Sequence, residues 1–368
     1  VNINVNVKPQ QKIRAFYLFF IIYELQIGVG VLGISNYIYQ DAKQDAWISI
    51  LISFILMLIV TSCMIMILRQ YDNADILGIQ IDVFGAWVGK FLGTVYVIYF
   101  GASLISIMLT YIEVIQVFLY PTIPSYVVGL LLLFLTIYTV LGGFRAVVGI
   151  AFIFLFLTQW LLLLLYDPIS KIEWNHYLPL FEASLPELIR GAKTTTYTLS
   201  GFEILFFIYP FVDNKEKIKM PVFLALFYTT LVLLVSTITV IGYFNPLSLE
   251  DITWSLLTLF KNVSFSFIER LDYIVVAEWM MVVVPNVALL MWGITYSVKR
   301  LYKIRQKTTL YTSSIITLIV VILIKHDIYI QKLTDIVSQL GFWLIFIYPL
   351  VLLPIVLMKK MAKKGSVK

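Results

Sequence analysis

The sequence predicts an all-α polytopic membrane protein of ten transmembrane helices in a five-plus-five inverted repeat, with helices 1 and 6 broken at mid-membrane. Three observations carry this. The chain is 61% hydrophobic and 13% charged over 368 residues, and most apolar residues fall in runs long enough to cross a bilayer, which takes about 20. Those runs are apolar all round rather than alternating, which argues against a membrane barrel. Acidic residues interrupt four of them, in positions that correspond between the two halves.

In order, the spans cover residues 16–39, 46–68, 91–120, 126–141, 147–166, 194–212, 221–244, 273–298, 311–324 and 336–358, the fourth and ninth being short. The flank VNINVNVKPQQKIR before the first span has no signal-peptide pattern and the span's exit has no small-residue cleavage site, so the first helix is expected to stay. Basic residues cluster after the eighth span (Lys299, Arg300, Lys303, Arg305, Lys307) and at the tail (Lys359, Lys360, Lys363, Lys364, Lys368). By the positive-inside rule both termini are expected in the cytoplasm. The net charge of +6 then reports topology and contact with anionic membrane lipid, and nucleic acid is not expected as a partner. Cys63 is the one cysteine, so no intrachain disulfide forms.

This ordering divides the chain into a cytoplasmic segment 1–13, a first five-helix repeat 14–166, an outer connection 167–193, a second repeat 194–358 and a basic tail 359–368. The connections 167–193 and 245–272 each have room for a short interfacial helix, in SLPELIRGAK and DITWSLLTLFKNV.

The ionisable residues within the spans are all acidic: Glu24 in helix 1, Glu113 in helix 3, Glu203 in helix 6 and Glu278 in helix 8. With no Lys or Arg at that depth, each needs a proton, a solvated cavity, or hydrogen-bond donors. Five helices per half set helix 1 opposite helix 6 and helix 3 opposite helix 8, and an odd number per half inverts the second copy. In helix 1, Glu24 is followed by Gly28, Gly30 and Gly33, and in helix 6, TTTYTLSGFEILFFIYPF sets Ser200 and Gly201 before Glu203. Glycine and polar residues at mid-span mark broken helices, whose freed N–H groups suit a carboxylate and whose freed carbonyls suit an ammonium or cation.

The candidate ligand-binding residues are therefore Ile27, Gly28, Val29 and Gly30 at the first break and Leu199, Ser200, Gly201, Phe202 and Glu203 at the second. Ser103, Ser106 and Thr110 share one face of helix 3 with Glu113, and Asn286 follows Pro285 in helix 8, where proline frees a carbonyl. Glu24, Glu113 and Glu278 are candidates for gating or proton transfer. His176 and His326 have no metal-ligand spacing, and there is no phosphate loop, Cys-His pair or nucleophile motif. Neither a metal, a cofactor nor an enzyme activity is expected.

QIGVGVLG in the first span, LSGFEILFFIYPF in the sixth and IERLDYIVVAEW entering the eighth together resemble the B subunit of bacterial spore nutrient-germinant receptors. That family is similar to the amino acid, polyamine and organocation transporter superfamily, whose LeuT-type fold is the five-plus-five inverted repeat. The resemblance spans essentially the whole chain. It implies a protein of the spore inner membrane that binds a small nutrient, such as an amino acid, between helices 1 and 6 and signals to A and C partner subunits. A proton- or sodium-coupled amino acid transporter is the alternative; helix 5, FIFLFLTQWLLLLLY, has no lysine to replace a sodium ion, and no dense Ser/Thr cluster marks helix 8.

Overall fold

The computed structural model describes residues 2–263 and 270–365. Ile268 and Glu269 of the family-like segment and Lys368 of the tail lie outside the described residues. All regular secondary structure among the described residues is helical.

The first apolar run is two helices. α1 (Leu18–Gln26) ends where Ile27 turns extended, and after a 3-10 turn at Val29–Leu32 the chain resumes as α2 (Ile34–Ala42). α3 (Ala46–Leu68) follows. α4 (Ile76–Phe118) starts well before residue 91, because the Asp75 side chain accepts the Gly78 N–H and nucleates it there. Gly85, at φ +83°, kinks α4; no atom lies within 4 Å of where a Cβ would stand, so backbone conformation rather than packing calls for glycine. α5 (Ser125–Leu141) and α6 (Phe144–Thr158) are joined through Gly143, and a 3-10 stretch Gln159–Leu165 extends α6 into α7 (Tyr166–Ser170).

α8 (Leu185–Thr198) crosses residue 193, where the outer connection was expected to end. Its first turns fall in SLPELIRGAK, where a short interfacial helix was expected, and the helix runs on from there into the next apolar run; the Ser184 N–H donates to the Glu187 carboxylate at 2.7 Å and fixes the first turn. After the second interruption come α9 (Leu205–Ile208) and α10 (Lys219–Tyr243). The connection at 245–272 folds as two short helices, α11 (Pro246–Asp251) and α12 (Ser255–Lys261), the latter with Leu256, Leu257, Leu259 and Phe260 buried. α13 (Leu271–Tyr302), α14 (Gln306–Leu323), α15 (Asp327–Gly341) and α16 (Tyr348–Gly365) complete the chain, the last two joined by a π-helical turn.

Seven helical stretches among the described residues are long and apolar enough to cross a membrane, and residues 15–26, 125–141 and 202–211 form shorter apolar ones. α13 is the central helix: 72% of its apolar window is buried against 28% for α14, and it packs most extensively on α4. Large apolar side chains such as Phe134, Tyr138, Leu163 and Leu323 cover the outside, as a lipid-facing surface requires.

Residues 2–13 lie across one end of the bundle. The Ile13 N–H donates to the Phe211 carbonyl at 2.8 Å, Val5 N–H to Asn73 at 2.8 Å, and the Arg145 guanidinium to the carbonyls of Pro9 and Lys12.

Candidate functional site

At the first interruption Ile27 (φ −84°, ψ 97°) and Gly28 (φ −127°, ψ −164°) leave helical geometry, which frees the carbonyls of the preceding turn. At the second, α8 ends at Leu199 and Gly201 adopts φ +118° before the chain turns back into helix at Phe202. A side chain on Gly201 is excluded twice. Its φ is left-handed, and a Cβ would stand 2.6 Å from the Leu25 Cβ and 2.9 Å from the Leu25 carbonyl carbon. The two interruptions therefore touch, backbone against backbone.

One side-chain amide ties them together, and a second ties the first interruption to α13. Gln26 Nε2 donates to the Leu199 carbonyl at 2.6 Å, and Asn286 Nδ2 to the Ile27 carbonyl at 3.2 Å. Each interruption thus has a carbonyl held by an amide from another segment, in place of the helical N–H it lost. Thr229 fixes Gln26 by donating to Oε1 at 2.8 Å. Asn286 Oδ1 is buried and has no partner among the described residues. Glu203 is 2% exposed, and its Oε2 accepts the Gly201 N–H at 2.6 Å.

Between the interruptions lies a cavity of about 70 Å³, room for a few waters or one small solute. Gly28, Val29, Gly30, Ser103, Ser200, Gly201, Glu203 and Asn286 line it. Five other candidates do not. Ile27 faces a neighbouring apolar cavity of about 30 Å³. Leu199 is buried and contributes only its carbonyl, and Phe202 packs edge-on against Phe346. Ser106 bonds Tyr197 and Thr334 at 3.2 and 2.9 Å instead, and Thr110 lies further along α4. Ile107, next to Ser106, does line the cavity, so within the polar stripe the angle around α4, and not depth alone, decides which side chain faces in.

Of the other acids, Glu24 is 1% exposed with neither oxygen hydrogen-bonded among the described residues, and it does not line the cavity. Glu278 accepts the Trp160 indole N–H at 2.6 Å, and Glu113 lies at the far end of α4. Gln26, Tyr99, Tyr197 and Thr198 line the cavity and were not singled out from the sequence. Gln26 carried a readable signal, a second polar group in an apolar run beside the glycines; the tyrosines did not, in a chain with 23 of them. A Cβ on Gly30 would stand 3.2 Å from Thr198 Oγ1, so α8 crosses the first interruption closely.

Comparison with known proteins bears on the family and the fold. Spore germination protein GerQB of Bacillus cereus is 30% identical over 342 residues, covering 92% of this chain and 94% of that protein. Spore germination protein YndE of Bacillus subtilis (strain 168) is 22% identical and covers 97% of this chain and 99% of that protein. Among solved structures, a Na+-coupled sialic acid symporter in a substrate-bound outward-open state superposes with a TM-score of 0.65 at 12% identity, over 92% of this chain and 80% of that one. A nucleobase-cation-symport-1 family transporter, closed with bromovinylhydantoin bound, gives 0.56 at 12% identity over 93% and 80%. At such identity the likeness shows the fold alone, the LeuT-type arrangement. The family model described as spore germination protein matches residues 12–329, and with a near full-length relative at 30% identity this chain belongs to the spore germination protein family.

Proposed function

We propose that the chain is the nutrient-sensing B subunit of a spore germinant receptor. On this reading it binds an amino acid in the cavity between the two interruptions and signals to A and C subunits from the spore inner membrane, with both termini in the cytoplasm. The observation that carries the reading is the few polar groups that converge on the cavity inside an apolar bundle. The Glu203 carboxylate and the unpartnered Asn286 Oδ1 are acceptors for an ammonium, and the backbone at Gly28 to Gly30, where helix gives way, offers N–H groups to a carboxylate. A shift from mostly off to mostly on needs about 5 kcal/mol of differential affinity between two states, within reach of a buried, charge-assisted site.

Gly28→Leu is the direct test. A Cβ on Gly28 meets only Asn286 Nδ2, at 3.8 Å, and its φ of −127° suits any residue. The substitution therefore fills the cavity without straining the backbone. Equilibrium binding of alanine and a pool of other amino acids to purified protein should be lost with folding intact; affinity within a few-fold of wild type refutes the site. The fold's transporter relatives keep a second reading alive, proton- or sodium-coupled uptake. Accumulation of label in liposomes under an ion gradient, abolished by Glu203→Gln, favours it over sensing.

A further inference from the structure

A second cavity lies away from the interruptions, where residues 2–11 cross the ends of α13 and α14. It measures about 640 Å³, within the range of small-molecule sites. Four cations line it, Lys299, Arg300, Lys303 and Lys307, and no Asp or Glu does. Arg300 is committed elsewhere: Nε and Nη2 donate to buried Asp75 at 2.8 and 3.1 Å. The three lysines form no ion pair among the described residues, and Lys299 reaches only the Gln306 amide oxygen, at 3.4 Å.

The backbone gathers them. Lys303 ends α13 in a left-handed conformation (φ 59°, ψ 19°), and the chain reverses into α14, so that Lys299, Lys303 and Lys307 from both sides of the turn line one opening. The opposite wall carries the amides of Asn2, Asn4 and Asn6, on a segment pinned by the Arg300 bond to the Asn2 carbonyl at 2.9 Å. Phe144, Phe211 and Trp292 pack together at 4.4 to 5.3 Å between ring centroids and supply an apolar wall.

Three ammonium groups offer compact charges with three donors each. A single carboxylate would leave most of that charge uncompensated, whereas a phosphate presents several oxygens and more than one charge to it. Basic pockets between membrane helices are the setting in which anionic head groups are held. We infer that this cavity binds a phosphate-bearing molecule, a phospholipid head group or a soluble phosphate ester, through Lys299, Lys303 and Lys307. The bound phosphate clamps the N-terminal segment to the turn between α13 and α14. This inference is independent of what binds at the interruptions.

The test uses the full chain, purified in detergent and separately in nanodiscs of phosphatidylcholine with or without phosphatidylglycerol. Inorganic phosphate and glycerol phosphate are titrated in the first arm, and lipid retained by the protein is measured by mass spectrometry in the second. Either arm should give binding that falls about tenfold or more in Lys303→Gln/Lys307→Gln. It should fall similarly in Asn4→Asp, which adds a carboxylate to the wall without removing a lysine. Glycerol phosphate binding that phosphatidylglycerol does not compete away identifies a soluble ester, and lipid retention or such competition identifies a head group. Binding that is unchanged in both variants, or absent from both arms, overturns the proposal.

Discussion

Asp75 and Glu24 are both fully buried carboxyl groups, and they are held in opposite ways. Asp75 accepts four hydrogen bonds, from the Gly78 N–H, the Tyr296 hydroxyl and two guanidinium nitrogens of Arg300. Glu24 accepts none among the described residues. A buried charge with its counter-ion and donors in place is architecture, and it locks α4, α13 and the N-terminal segment together. A buried carboxyl with nothing around it tolerates its charge only when a proton or a cation arrives. Glu203 stands between the two, with one backbone donor on one oxygen and the cavity beside it.

The largest effect that would sharpen this contrast is expected at the paired end. Arg300→Ala leaves Asp75 buried and uncompensated, and should cost about 3–5 kcal/mol in detergent unfolding; a smaller loss would mean water reaches Asp75. Gly201→Ala should cost about 3 kcal/mol, from its left-handed backbone and the collision with Leu25. A well-folded alanine variant would show that the interruptions separate easily. Glu24→Gln removes no hydrogen bond, so unfolding should move by less than about 1 kcal/mol; a large loss would reveal a partner and dissolve the comparison. At the small end, Lys43→Ala breaks an exposed ion pair with Glu250 and should change stability by no more than about 1 kcal/mol.

Acidity gives one further check outside the spans. Its hydrogen bonds with Ser184 hold the Glu187 carboxyl below its usual range. Its contribution to the start of α8 is therefore present above the normal carboxylate range and lost as pH falls through the depressed value. Helicity of α8 followed by hydrogen exchange should drop on acidification in wild type and not in Glu187→Gln.

What was legible in the sequence follows the same division. The interruptions announce themselves, because Gly28, Gly30, Ser200, Gly201 and two acids have no business in a lipid-soluble helix. The Asp75–Arg300 lock does not, since its partners are 225 positions apart and each looks like an ordinary residue at a helix end. Nor does spacing alone say which members of a stripe face inward. Ser103 and Ser106 share a face by spacing, yet one lines the cavity and the other ties α4 to Tyr197 and Thr334. The continuity of α8 escaped for a third reason: its first two turns are charged and capped, so they read as an interfacial helix separate from the apolar run that follows.

The two amide bonds at the interruptions have a mechanical consequence. Gln26 and Asn286 hold the carbonyls of Leu199 and Ile27. Each carbonyl oxygen keeps a second lone pair, so neither amide has to leave for another donor to arrive. What the bonds couple is position: a shift of the backbone at Leu199 or Ile27 is passed through one hydrogen bond to a side chain rooted in α1 or α13.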